Sequence, residues 1–236
     1  MTRIDGSTAL VTGGRRGLGA AFVEALLRRG ATKVYATARK PVPSNDPRVE
    51  TLSLDVTDQE SVNSLAARTG DVNIVINNAG ILLPETMRGL LGSDMSAIVA
   101  TFEANVFGAL RVARSFAPIL AANGGGALVD MHSVMSWAAG AGAYGASKAA
   151  FWSVTNSLRI ELAGQGTQVV GVHLGFADTD MVAGFPGDKL SPAQVVESVL
   201  VGVEEGQTEV LVDSVSEQFK TALAGPVEGL TLALPG

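Results

Sequence analysis

Tyr144 and Lys148 stand four residues apart in the stretch Tyr144-Gly145-Ala146-Ser147-Lys148. On a helix this spacing puts both on one face, so a phenol and an ammonium can serve one site. A free tyrosine loses its proton at about pH 10, too high for a base at neutral pH. A neighbouring cation stabilises the phenolate, which suits the pair to trade a proton with a substrate oxygen. The same spacing also occurs on solvated helix faces, so the pair has to be weighed with what surrounds it.

A second group with chemical potential is Thr12-Gly13-Gly14-Arg15-Arg16-Gly17-Leu18-Gly19. Glycines spaced Gly-x-x-x-Gly-x-Gly between a strand and a helix allow a tight turn and a close backbone approach. The helix N-terminus beyond offers free N–H groups to a pyrophosphate. Gly13, Arg15, Arg16, Gly17, Leu18 and Gly19 are therefore candidate cofactor-binding residues. An NAD site would carry a carboxylate roughly 20 positions onward for the ribose 2′-hydroxyl. Here the second strand ends Thr37-Ala38-Arg39-Lys40. A guanidinium forks onto a 2′-phosphate that a carboxylate would repel, so Arg39 points to NADP(H).

The elements that must position these groups alternate along the chain. Apolar runs at 7–12, 33–38, 49–54, 72–76, 127–132, 168–174 and 209–212 read as strands. Helical patterns fall at 18–29, 58–68, 93–122, 143–163, from Ser191-Pro192 onward and at 214–223. Such alternation implies a parallel sheet covered on both faces, with ligands outside the carboxyl ends of the strands. Three prolines between Pro41 and Pro47 enforce a loop.

At 236 residues and 47% hydrophobic content, the chain has the length of one large α/β domain. That domain is expected to span 1–236, with a cofactor half at about 1–125 and a catalytic and substrate half at about 126–236. No cysteine is present, which excludes thiolate catalysis and fits a reducing, cytoplasmic setting. A net charge of -6 without a basic cluster argues against nucleic acid, and no run approaches the roughly 20 apolar residues of a membrane span. His132 and His173 lack partners at ligand spacing, so no metal is expected.

With these residues in order, the chain resembles the short-chain dehydrogenase/reductase family. The resemblance rests on Thr12-Gly13-x-x-x-Gly17-x-Gly19, Leu54-Asp55-Val56, Asn77-Asn78-Ala79-Gly80, Asn105, Ser133 and Tyr144-x-x-x-Lys148. It implies a Rossmann-type doubly wound α/β fold with about seven parallel strands and helices on both faces. It also implies reversible hydride transfer between NADP(H) and a carbonyl or secondary alcohol. On that resemblance Tyr144 donates or accepts the proton, and Lys148 lowers the tyrosine pKa and holds the nicotinamide ribose. Ser133 holds the substrate oxygen, and Asn105 holds a water that links Lys148 to solvent. Asp55 and Val56 match adenine contacts, Asn78, Ala79 and Gly80 the turn against the cofactor, and Gly175, Phe176 and Thr179 the nicotinamide end.

Ser133 precedes Tyr144 by 11 positions (144 − 133), a short interval for the family, and Ser136 is a second candidate serine. Leu174 stands where the family often has proline. Met135, Trp137, Phe176, Met181 and Phe185 are the expected substrate pocket, favouring a lipophilic or aryl ketone. A homodimer or homotetramer packed through the long helices is expected, with small residues between Ala100 and Ala113 and between Ala143 and Ala150 at the contact. The alternative is a sensor that binds NADP(H) on this fold without turnover.

Overall fold

The computed structural model describes residues 1–231, and the side chains of Met87 and Arg88 are outside that description. Seven strands form one sheet: β1 (Thr8–Val11), β2 (Lys33–Ala38), β3 (Val49–Ser53), β4 (Ile74–Asn77), β5 (Ala127–Met131), β6 (Gln168–His173) and β7 (Glu209–Leu211). Their order is β3-β2-β1-β4-β5-β6-β7, and every pairing is parallel. The order reverses between β1 and β4. That reversal opens a crevice at the carboxyl ends of these two strands, where doubly wound sheets bind their ligands.

Strand side chains alternate between two cores. Ala9, Val11, Ile74, Ile76, Val129, Met131, Val170 and Val172 face one layer, whereas Leu10, Val75, Leu128 and Val169 face the other. Because both faces are covered, the central strands β4 and β5 are buried at every position, whereas the edge strand β3 carries Glu50, Thr51 and Ser53. Helices α1 (Gly17–Arg28) and α6 (Pro192–Glu204) cover the first face with Phe22, Leu26, Val195 and Val199. The second is covered by α2 (Gln59–Arg68), α4 (Ala109–Ala122) and α5 (Gly142–Glu161), through Val62, Phe116 and Leu158. Phe22 and Phe116 are fully buried, each contributing roughly 1.5–3 kcal/mol by leaving water.

The expected long helix at 93–122 forms in three parts. Helix α3 (Met95–Phe102) passes through a π turn (Glu103–Gly108) into α4, which runs through Pro118 to Ala122. Contrary to the sequence reading, Met95–Ala122 is long and apolar enough to cross a bilayer by length and composition alone. Here it packs on α5 and α2. The chain continues after β7 with α7 (Ser214–Ala222). Helices α2, α6 and α7 carry side-chain caps at Asp58, Ser191 and Asp213, whereas α1 has none and no acidic residue in its first turn.

Candidate active site

The glycine turn is held in shape by contacts that only glycine permits. Gly13 and Gly17 have φ of 68° and 54°, and a Cβ on Gly19 would lie 2.1 Å from the Gly13 carbonyl oxygen. The Gly14 N–H donates to the Thr37 carbonyl at 2.8 Å, fixing the turn to the end of β2. The uncapped α1 N-terminus thus lies open beside a backbone cradle, which suits a pyrophosphate. Asn78 closes the cradle from β4, its Nδ2 donating to the Thr12 carbonyl at 2.9 Å. Thr12 Oγ1 in turn accepts from the Asn78 and Ala79 amides at 3.0 Å. Leu18 packs into the core beneath.

The two loop arginines part company. Arg15 Nη1 donates to the Lys40 carbonyl at 3.3 Å, which carries its guanidinium to the end of β2 beside exposed Arg39. Arg16 turns the other way, to Asp180 at 3.3 Å, away from Arg39. That pair is largely exposed on both sides and is worth little to stability. Asp55 accepts from the Thr57 N–H and hydroxyl at 3.0 and 2.7 Å. Those bonds, with a smaller effect from the Arg39 charge, hold its pKa below the usual carboxylate value. Val56 packs against Gly108 of the π turn, where a Cβ would come within 2.7 Å of it. Gly175 donates its N–H to Asp213 at 2.7 Å, and Thr179 faces Gly17, whose Cβ would lie 3.1 Å from its methyl.

Tyr144 and Lys148 lie in the first two turns of α5, against the end of β5. Ser133 follows β5 immediately and caps a short 3₁₀ turn (Val134–Ser136), its Oγ accepting from the Met135 N–H at 3.2 Å. The Ser133 hydroxyl also sits beside that of Tyr144. Burial of its hydroxyl pushes the Tyr144 pKa up to about 12, and Ser133 only partly opposes this. The expected lowering by Lys148 is therefore not met in this structure. Lys148 directs its ammonium to the Met131 carbonyl at 2.7 Å, with Nζ 5.8 Å from the Tyr144 ring centre. Burial lowers the Lys148 pKa to about 8, partly offset by the charge of Asp130.

Asn105 is the buried centre of the π turn. Its Oδ1 accepts from the Ile81 N–H at 2.8 Å, and its Nδ2 donates to the Ile81 carbonyl at 3.0 Å and to Ser147 Oγ at 3.1 Å. Both amide hydrogens are therefore engaged. Gly80 lies beside it, with room for a Cβ only 3.1 Å from Asn105 Oδ1. Ser147, which the sequence reading passed over, joins this network and donates to the Tyr144 carbonyl at 2.7 Å. Its place between Tyr144 and Lys148 was the available signal.

An open-sided cavity is lined by Tyr144 and Ser133. Leu82, Val134, Met135, Phe176, Val182 and Phe185 give it an apolar wall, with Phe176 and Phe185 stacked at 5.7 Å. Ser136 is buried away from that wall, its hydroxyl without a protein partner among the described residues. Two expected pocket residues are elsewhere. The 3₁₀ turn rotates Trp137 inward, where it stacks on His173 at 3.9 Å, and Met181 is exposed while its neighbour Val182 takes the wall. Leu174, where the family often has proline, accepts from the Val134 N–H at 2.8 Å through its main-chain carbonyl.

A doubly wound parallel sheet, an open phosphate cradle at its switch point and a tyrosine–lysine–serine cluster beside an apolar cavity together define a dinucleotide-dependent oxidoreductase scaffold. The sequence profile of the short chain dehydrogenase family matches residues 7–189, and the chain belongs to that family. The 3-oxoacyl-[acyl-carrier-protein] reductase FabG of Salmonella typhimurium is 32% identical over 215 residues, covering 85% of this chain and 86% of that protein. A short chain dehydrogenase from Burkholderia cenocepacia, solved in complex with NADP, superposes with a TM-score of 0.89 at 38% identity, covering 97% of each chain. One from Sphingobium yanoikuyae, in complex with NADPH, gives 0.79 at 26% identity, covering 95% of this chain and 94% of that one.

Proposed function

We propose that this protein is an NADP(H)-dependent carbonyl reductase, acting on small to medium lipophilic or aryl ketones in the reducing direction. The observation that carries the reading is the convergence of the Tyr144 and Ser133 hydroxyls on an apolar cavity, with Lys148 buried behind them. The cradle at 13–19 and the turn at 78–80 hold the pyrophosphate side of the cofactor, and Arg39 with Arg15 holds the 2′-phosphate. Relatives solved with NADP and NADPH support that assignment. The chain works as one unit over 1–236.

Bound NADPH supplies the hydride. Tyr144 gives its proton to the carbonyl oxygen as that oxygen becomes an alkoxide, so hydride and proton together make the alcohol. With its pKa well above neutrality, Tyr144 holds its proton at pH 7, as a donor must. Ser133 donates a hydrogen bond to the same oxygen and fixes its distance from Tyr144. Lys148, its ammonium on the Met131 carbonyl behind Tyr144, would hold the nicotinamide ribose, and Asn105 with Ser147 locks α5 to the turn after β4. Among the described residues the aliphatic and phenyl wall has no cation to recognise a charged substrate, which favours lipophilic ketones. An intact Tyr144 and Lys148 speak against a sensor without turnover.

The test is NADPH and NADH oxidation measured side by side over a structured ketone panel, with product chirality determined. Absence of NADPH consumption across the panel sinks the reading. Exposed Met95, Val99 and Phe107 on the long helix support a homo-oligomer, which light scattering would show as a dimer or tetramer.

A further inference from the structure

Asp130 on β5 is fully buried, and among the described residues no lysine, arginine or histidine nitrogen lies within ion-pairing distance of it. Its carboxylate is held by neutral donors instead. Asn77 Nδ2, from the adjacent register position of β4, donates to Oδ1 at 3.0 Å, and Thr155 Oγ1 of α5 donates to Oδ2 at 2.7 Å. The next residue of the strand, Met131, offers the carbonyl that receives the Lys148 ammonium. A buried carboxylate and a buried ammonium thus occupy neighbouring positions, and each would be costly there alone.

The surroundings leave few other charges to balance them. His132 just after β5 and His173 on β6 are kept neutral by burial. Tyr144 on α5 is a neutral phenol, and Arg159 on α5 is a cation that bears on Asp130. Asp130 is the carboxylate whose charge supports Lys148.

Thr155 makes the carboxyl group tolerant of both protonation states. Its single hydroxyl hydrogen faces two acceptors, Asp130 Oδ2 at 2.7 Å and the Phe151 carbonyl at 3.0 Å. With Asp130 ionised, that hydrogen goes to the carboxylate. With Asp130 protonated, the acid O–H donates to Thr155 Oγ1 and the hydroxyl turns to Phe151, so no heavy atom moves.

We infer that Asp130 is the buried counter-ion of Lys148, a positioning residue that keeps the lysine charged and takes up a proton when the site is acidified. The inference rests on the reading of Lys148 as the ammonium behind Tyr144. Burial raises the Asp130 pKa to about 6 and lowers that of Lys148 to about 8, so both are charged between those values.

Protein labelled with ¹³C at lysine Cε reports the Lys148 titration by NMR, the resonance being assigned with Lys148→Met. The native curve is expected to show a main step and a smaller, more acidic step from the Asp130 proton, because coupled groups report one another. Asp130→Asn should abolish the acidic step and move the main one down by about one pH unit or more. Thr155→Val, which removes a donor to the carboxylate, should move the acidic step upward. A folded Asp130→Asn variant with the native curve overturns the inference. If that variant does not fold, an absent or unmoved acidic step in Thr155→Val overturns it. A merely structural Asp130 would shift the urea midpoint and leave the titration alone. The readout needs no turnover, so it is separable from a failure of the ketone panel.

Discussion

Replacing Asn105 by alanine tests how the π turn supports the site. The change removes three hydrogen bonds at once: one from the Ile81 N–H, one to the Ile81 carbonyl and one to Ser147 Oγ. Ser147 keeps its bond to the Tyr144 carbonyl, so its loss is the smallest. The two main-chain groups of Ile81 lose their partner in a partly buried turn, at about 1–3 kcal/mol each where water cannot replace it. Together the loss should be about 2–6 kcal/mol, a large part of the roughly 5–15 kcal/mol that stabilises a domain. Urea unfolding at pH 7.5 measures it, with ketone reduction followed in parallel. Stability and kcat/KM should fall together, because the turn after β4 and helix α5 lose their common tie. Asn105→Asp, which keeps the acceptor for Ile81 N–H and loses both donors, should fall between. A loss below about 1 kcal/mol for the alanine variant would refute the idea that this amide holds the two elements together.

Other outcomes follow from the same geometry. Tyr144→Phe should lower kcat by about 10²–10⁴ while cofactor binding, followed by fluorescence of the reduced nicotinamide, is retained. Arg39→Ala should raise the KM for NADPH about 10- to 100-fold, the loss of one charge-assisted contact, and leave that for NADH nearly unchanged. Stability should fall on acidification because of His173, whose pKa is pushed down to about 3 by burial. Its unfolded form takes a proton below about pH 6.5 while the folded form stays neutral, so the contribution is lost as pH falls through that range. At pH 5 this amounts to about 2 kcal/mol, and His173→Gln should flatten the slope of urea midpoint against pH between 7 and 5.

The fold was legible because the signals are local. Apolar strands, the glycine turn and the Tyr144–Lys148 spacing each sit within a few residues, and the parallel alternation leaves few topologies. The crossing of Arg15 and Arg16 was not legible, since the sequence places both in one turn and only the loop's path sends one to Lys40 and the other to Asp180. Trp137 and Met181 carry the right chemistry for a pocket wall, but side-chain direction is set by 3₁₀ turns that composition does not announce. Asp130 was passed over for a similar reason. A lone carboxylate in an apolar strand says nothing until Asn77 and Thr155, from two other elements, are brought against it.

The π turn at Glu103–Gly108 has a bearing on how chain length can vary here. Such a turn holds one residue more than an α-helix of the same rise, so it absorbs the extra residue locally and leaves α3 and α4 in the phase of one continuous helix. Deleting a single residue within it would let the two run on as one regular helix, with Met95 and Val99 keeping their faces. What would go is the wider turn that sets Asn105 against Ile81 and Ser147. A one-residue gap would here leave the fold standing and undo the tie at the site.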